Sequence, residues 1–340
     1  MSTRISRLQT GESLNRAAIC ALIAVLAFAT TFGTTSLSAQ DSCRSDSAHV
    51  IPITGYTGSV QNPCFSPASD LLAVTNFEKR YNVGTGIVFT AHATGGKRIR
   101  VLSPTDAQSV NLPGQCWSGA SSLVTYSSDV VARDEIYTVP SSGGKPRRIT
   151  NRPGHRSFEP SLSPVFSDGS QWIVFESHVS HGKHLKPGEI WKVRTDGKGL
   201  ARLTEGWDDR QPEWSPAGDR IVFQRRMGPN KWDVFTIHTD GSHPKNITHH
   251  PQLVNTDPSW SPSGKYIVYS AGGRGIKIAN LFIISAAGGK PTRLTRSCGY
   301  DGAPGWSPDG KRIAFESAPY DPDQHGNTRI WVIDAPEGVQ

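Results

Sequence analysis

Beyond residue 40 this sequence has no apolar run long enough to cross a bilayer, which takes ~20 residues, so the mature chain is expected to carry no integral membrane span. It lacks a Gly-x-Ser-x-Gly nucleophile elbow, and with it the sequence sign of an α/β-hydrolase. No Gly-rich phosphate loop is present, its glycines being accounted for by turns, so no nucleotide cofactor is implied. No stretch interleaves aromatic with basic residues in the manner of a nucleic-acid groove, and nucleic acid is not expected as a partner. Cysteine is scarce, with five in the chain, and no spacing among them matches a zinc or redox motif.

The first forty residues are different in kind. Arg4, Arg7 and Arg16 precede an apolar run from Ala17 to Phe32, and small residues follow at Ser36, Ser38 and Ala39. That order is read as a secretory signal over residues 1–39, which implies a periplasmic or secreted protein. No cysteine follows a small-residue lipobox, so no lipid anchor is expected. Loss of the signal removes three Arg and one Glu and takes the formal charge from +7 to +5. Cys20 leaves with it, and Cys43, Cys64, Cys116 and Cys298 remain for an oxidising compartment, where three pairings are open. Cys64 and Cys116 occupy the same place in adjacent repeats, so a disulfide between them is one of these.

What the chain does have is a repeat. Pro-Xaa-Trp-Ser-Pro-Xaa-Gly stands at Pro212 to Gly218, Pro258 to Gly264 and Pro304 to Gly310, with looser copies at Pro63 to Pro67, Gln115 to Gly119 and Pro160 to Pro164. Its serine falls at Ser66, Ser118, Ser163, Ser215, Ser261 and Ser307, at intervals of 52, 45, 52, 46 and 46. That is the period of a four-stranded propeller blade. Within a copy, alternating apolar residues such as Ile221, Phe223, Val234 and Ile237 have strand periodicity, and Asp-Gly or Gly-Gly pairs supply the positive φ of hairpin turns. The aromatic at residues 65, 117, 214, 260 and 306 (Leu162 in the third copy) is expected to wedge between neighbouring blades. Recurring basic stretches such as Lys145-Pro-Arg-Arg148 read as solvated outer strands that discourage edge pairing. The sixth copy ends after its third strand, at Ile330 to Ile333, and residues 49–54 resemble a fourth strand. The reading is an all-β, six-bladed β-propeller in one domain over residues 40–340, blade cores starting near 62, 114, 159, 211, 257 and 303, closed by an N-terminal strand so that the ring has no open edge.

With Gln211-Pro-Glu-Trp-Ser-Pro-Ala-Gly218, Asp257-Pro-Ser-Trp-Ser-Pro-Ser-Gly264, Ala303-Pro-Gly-Trp-Ser-Pro-Asp-Gly310 and the third-strand pairs Ile190-Trp191 and Ile330-Trp331, residues 48–334 resemble the TolB-like propeller family, a group of WD40-like repeats. The resemblance implies fold far more than activity. It covers the propeller alone, since the α/β domain ahead of the ring in TolB would need well over 100 residues.

In this blade order the loops after strands two and four open on one mouth, where the copies differ most. Seven of the eleven histidines map there, at 155, 178, 181, 184, 249, 250 and 325. His178, His181 and His184 are candidate ligands for one divalent metal, because neutral imidazole suits Zn, Mn, Cu or Ni. Related propellers of the oligogalacturonate lyase type use His with Arg and a metal in such a mouth. Proton abstraction beside a sugar carboxylate needs a base and a cation. His155, His249 or His250 are the candidates for the base, and Arg156, Arg210 or Arg225 for the clamp. The favoured expectation is an exported binding scaffold for an envelope or secreted protein, a peptide or a glycan, with a polysaccharide lyase or hydrolase as the alternative. Tyr81, Trp207 and Tyr300 are the expected apolar contributors to the mouth.

Overall fold

The computed structural model describes residues 44–340 except 113–115, 119–121, 182–183, 251, 274–277, 319–326 and 340; the signal segment and Cys43 lie outside the described residues. Every regular element among the described residues is a β-strand. The strands form six antiparallel meanders in chain order, each running from the axis outward. In the fourth blade these are Asp209–Trp214, Arg220–Gly228, Lys231–His238 and Lys245–Asn246. In the first they are Ser59–Phe65, Leu71–Phe77, Gly86–His92 and Arg100–Val101.

The repeated Ser of each copy ties its own turn. Ser215 Oγ donates to Asp219 at 2.8 Å and accepts from the Arg220 N–H at 3.0 Å, so the chain leaves the first strand and enters the second at a fixed angle. The repeated aromatics lie between blades. Trp214 packs with Val174 and Ile190 of the third blade and with Ile221 and Phe223 of its own, and Phe65, Trp260 and Trp306 are similarly buried. Large rings fill the wedge-shaped gap between twisted sheets with the fewest residues.

The ring is closed at its ends. His49–Val50 is the outer strand of the sixth blade, with His49 opposite Val332 and Val50 opposite Trp331. The rest of the expected closing strand does something else. Pro52 has no N–H to give a ladder, and beyond it Ile53–Thr54 pairs in parallel with Gly96–Lys97 on the first blade. One segment thus joins the last blade to the first. Ahead of it, Arg44 is buried against Asp301 at 2.6 Å and Asp46 at 3.1 Å, under the Trp331 ring at 4.4 Å. Cys64 and Cys116 form a disulfide with their Cα atoms 6.1 Å apart, joining the inner strands of blades one and two. Cys298 is also disulfide-bonded.

Candidate functional site

The site follows from a dipeptide that recurs on every inner strand. Asn62, Leu112, Glu159, Gln211, Asp257 and Ala303 each precede a proline. In five of the six blades that first residue has positive φ: 54° at Asn62, 49° at Glu159, 51° at Gln211, 53° at Asp257 and 45° at Ala303. In the same five the ladder shifts register at that point, as between Arg210 and Glu213. Proline cannot donate to the ladder, and the left-handed residue before it turns its own N–H out of the sheet.

Side chains of the preceding blade's second strand collect those N–H groups. Asn62 N–H donates to Glu316 at 3.0 Å, Gln211 N–H to Glu176 at 2.8 Å and Asp257 N–H to Gln224 at 3.0 Å. The six residues at this register are Thr75, Ser127, Glu176, Gln224, Ser270 and Glu316, opposite Gln61, Asn111, Phe158, Arg210, Thr256 and Gly302. They make a polar belt around the axis. Side chains of Glu159, Gln211 and Asp257 line a cavity of about 30 Å³ inside it. Towards the opposite face lies a second chamber of about 180 Å³, walled by Phe65, Trp117, Trp260 and Trp306. Glu213 borders both.

Carboxyl groups crowd this axis, and their protons are held more tightly than usual. Burial, then the charges of Glu176, Asp257 and Glu316, push Glu159 well up. Burial raises Asp257. Burial and then the Asp257 charge lift Glu316 to about 8, and burial alone lifts Glu213 to about 8, although the Trp260 N–H bonds it at 2.7 Å. Two tyrosines reach in from the mouth, Tyr81 donating to Glu316 at 3.0 Å and Tyr300 to Asp257 at 3.4 Å. Gly302 makes room for Tyr300, because a Cβ there would stand 2.0 Å from the phenol oxygen.

A pH dependence follows. Carboxyls whose folded value lies near 8 against an ordinary 4.5 hold a proton in the fold that the unfolded chain has given up. The stability tied to that proton is complete below about 4.5 and is lost as pH rises through about 8. His178 works in the same direction: burial opposes its charge, but the hydrogen bond and charge of Glu176 outweigh burial and raise it. Its contribution is lost as pH climbs through the raised value. The thermal midpoint is expected to fall from about pH 5 to about pH 8.5, and Glu213→Gln to flatten part of that slope. Scanning calorimetry in a pH series checks this, and a flat wild-type profile contradicts it.

The histidines and arginines of the mouth are placed as follows. His178 is buried, its Nδ1 donating to the Lys186 carbonyl at 2.8 Å and its Nε2 facing Glu176 at 3.1 Å. His181 and His184 are exposed and opposite one another across a hairpin. Among the described residues no group of three or more His, Cys, Asp or Glu is disposed to hold a metal ion. Arg156 pairs with buried Asp134, Arg210 with Asp208 at 3.0 and 3.1 Å, and Arg225 with Asp209 at 2.7 and 2.8 Å. His155 Nδ1 lies 3.3 Å from the Pro153 carbonyl, and His249 and His250 are exposed. Trp207 is 46% exposed and caps Arg225 at 5.0 Å.

Sequence reasoning put Tyr81 and Tyr300 at the mouth but did not single out Glu159, Glu176, Glu213 or Glu316. The Xaa-Pro dipeptides were the available signal, since the residue before proline at one register is polar in four of the six copies, Asn62, Glu159, Gln211 and Asp257.

Six four-stranded blades around a polar axis, closed by a strand from the N-terminus, make this protein a closed six-bladed β-propeller. No family model matches the chain. It is 35% identical over 71 residues to the Tol-Pal system protein TolB of Rhizorhabdus wittichii, covering 21% of this chain and 16% of that one. An uncharacterised protein of Agrobacterium fabrum is 26% identical over 253 residues, 74% of this chain and 67% of the relative. The crystal structure of TolB from Acinetobacter baumannii matches with a TM-score of 0.57 at 18% identity, over 84% of this chain and 66% of that one. In fold the chain resembles the propeller of TolB. It spans about two thirds of the solved TolB, and its sequence match to TolB a smaller part still. No helix among the described residues is long and apolar enough to cross a membrane.

Proposed function

We propose that this protein is an exported binding scaffold, periplasmic or secreted, whose axial funnel receives a segment of a protein, peptide or glycan partner. The carrying observation is the arrangement of the mouth. Polar side chains converge on the axis from all six blades, while the arginines that a lyase would turn on a sugar carboxylate are each engaged by an aspartate of their own. A ring of meshed strands with an acceptor-rich hole suits recognition, since a scaffold built on strands keeps the ordering cost of binding low. The Tol-Pal name of the TolB relatives is consistent with an envelope partner.

The test is capture from an envelope fraction on immobilised mature protein, wild type beside a Tyr81→Ala/Trp207→Ala double variant. The expected result is a saturable partner held by wild type and lost by the variant. Release of unsaturated products from acidic oligosaccharides, abolished by His249→Ala or His250→Ala, would replace this reading with the lyase.

A further inference from the structure

Around the axis there are many hydrogen-bond acceptors and few donors. Glu159 accepts no hydrogen bond from any described residue, and it faces the carboxyls of Glu176, Asp257 and Glu316. The tyrosine hydroxyls of Tyr81 and Tyr300 are already given to Glu316 and Asp257. The nearby cations are committed elsewhere, His178 to Glu176 and the Lys186 carbonyl, and Arg210 to Asp208.

A second observation comes from the belt itself. Ser127 and Thr75 sit at the register from which Glu176, Gln224 and Glu316 reach the axis. Both are 0% exposed, and both hydroxyls lack a partner. A buried hydroxyl without a hydrogen bond is costly. Neither hydroxyl lines the cavity that Glu159 and Asp257 border, but together with the unpartnered Glu159 carboxyl they leave this belt with polar groups that the described residues do not satisfy.

We propose that the funnel receives a guanidinium group, the side chain of an arginine carried by the binding partner, held by the carboxyls of Glu159 and Asp257, which line the axial cavity. This rests on the binding role above and names the chemistry that the partner brings. The spread of the acceptors decides between cations. They do not converge as ligands on one metal ion, whereas a guanidinium carries five N–H donors in a rigid plane and is less strongly hydrated than an ammonium. The space of about 30 Å³ between the Xaa-Pro residues has room for two or three waters at ~10–15 Å³ each, enough for a flat head group and too little for a peptide backbone. The approach from the mouth passes Tyr81 and Tyr300, whose rings favour a cation.

The test is isothermal calorimetry of the mature protein with acetyl-Gly-Arg-Gly-amide, alongside the corresponding lysine peptide and calcium chloride, at pH 6.5 and pH 8.5. Saturable binding of the arginine peptide is expected, tighter at the higher pH as the raised carboxyls of Glu159 and Asp257 ionise and about tenfold tighter than the lysine peptide. Glu159→Gln should weaken it about tenfold without lowering the thermal midpoint, since that carboxyl holds no structural bond and its removal relieves repulsion among its neighbours. Absence of saturable heat, equal binding by Glu159→Gln, or equal or tighter binding of lysine or calcium would overturn the proposal. If an envelope partner is captured but the arginine peptide gives no heat, the guanidinium assignment fails and the scaffold stands. If the peptide binds and no partner is captured, the guanidinium site stands and the scaffold reading fails.

Discussion

Replacing Arg44 by Ala is expected to destabilise the whole ring by about 3–5 kcal/mol, the usual loss when one member of a buried ion pair is removed. Arg44 is almost entirely buried, bonded to Asp301 at 2.6 Å, to Asp46 at 3.1 Å and to Ser317 at 3.1 Å. Its guanidinium also lies over the Trp331 and Phe315 rings. Without it, Asp301 is left with no exposure and a bare charge. Asp46 accepts from the Arg296 N–H and from the Ala48 N–H at 3.0 Å, setting the chain on its path to His49–Val50. The damage should therefore spread from the ion pair to the closing strand. Guanidinium-chloride unfolding is expected to show a lower midpoint, and limited proteolysis an early cut ahead of Thr54. Pairing Arg44→Ala with Asp301→Asn should recover part of the loss by removing the stranded charge. A change below about 1 kcal/mol, typical of an exposed pair, would mean that the N-terminal segment does not hold the ring shut.

Loss of the Cys64–Cys116 disulfide is expected to cost roughly 4 kcal/mol, as the chain-entropy relation gives for a loop of this length, the two cysteines being 52 residues apart. The bond does work that hydrogen bonds do less of in the second blade, whose inner strand is the two-residue Val110–Asn111 followed by an isolated bridge between Trp117 and Val124. Both cysteines are almost wholly buried in an apolar cluster with Ala73, Val88 and Val124. A Cys64→Ala/Cys116→Ala variant removes the link together with two buried sulfur atoms, so the fall in unfolding midpoint sets an upper bound on the link. The wild type under reductant should fall as well, with the Cys298 bond opened besides this one. Equal midpoints for variant and oxidised wild type would show that the six-blade packing alone fixes the first two blades.

The blades were legible because the repeat states the same physics six times: alternating apolar residues, a turn of Ser-Pro-Xaa-Gly, and an aromatic at one register. The closing strand was legible too, by the likeness of residues 49–54 to Arg147-Arg-Ile-Thr150 and Arg202-Leu-Thr204. Its extent was not, because Pro52 sends Ile53–Thr54 to a different blade. The candidate site was harder to see. Histidines and arginines drew attention as reactive types, yet Arg210 is paired with Asp208 two residues away, Arg225 with Asp209 across one ladder, and Arg156 with Asp134 beside the preceding blade. Glu176 and Glu316 directly follow the apolar runs Ile173 to Phe175 and Ile313 to Phe315 and read as the polar ends of a core pattern.

The sequence alone determined that this is a ring of six β-meanders, since each local choice of turn, strand period and wedge residue is made within a single copy. Tertiary structure alone decided that Glu159 and Asp257 from inner strands, and Glu176 and Glu316 from second strands, share one axis. Residues from different blades, as far apart as 254 positions in the Asn62–Glu316 contact, meet there only after the ring has closed. The raised proton affinities of Glu159, Asp257 and Glu316 arise from that shared burial and, for Glu159 and Glu316, from the charge of neighbouring carboxyls, which no single copy contains.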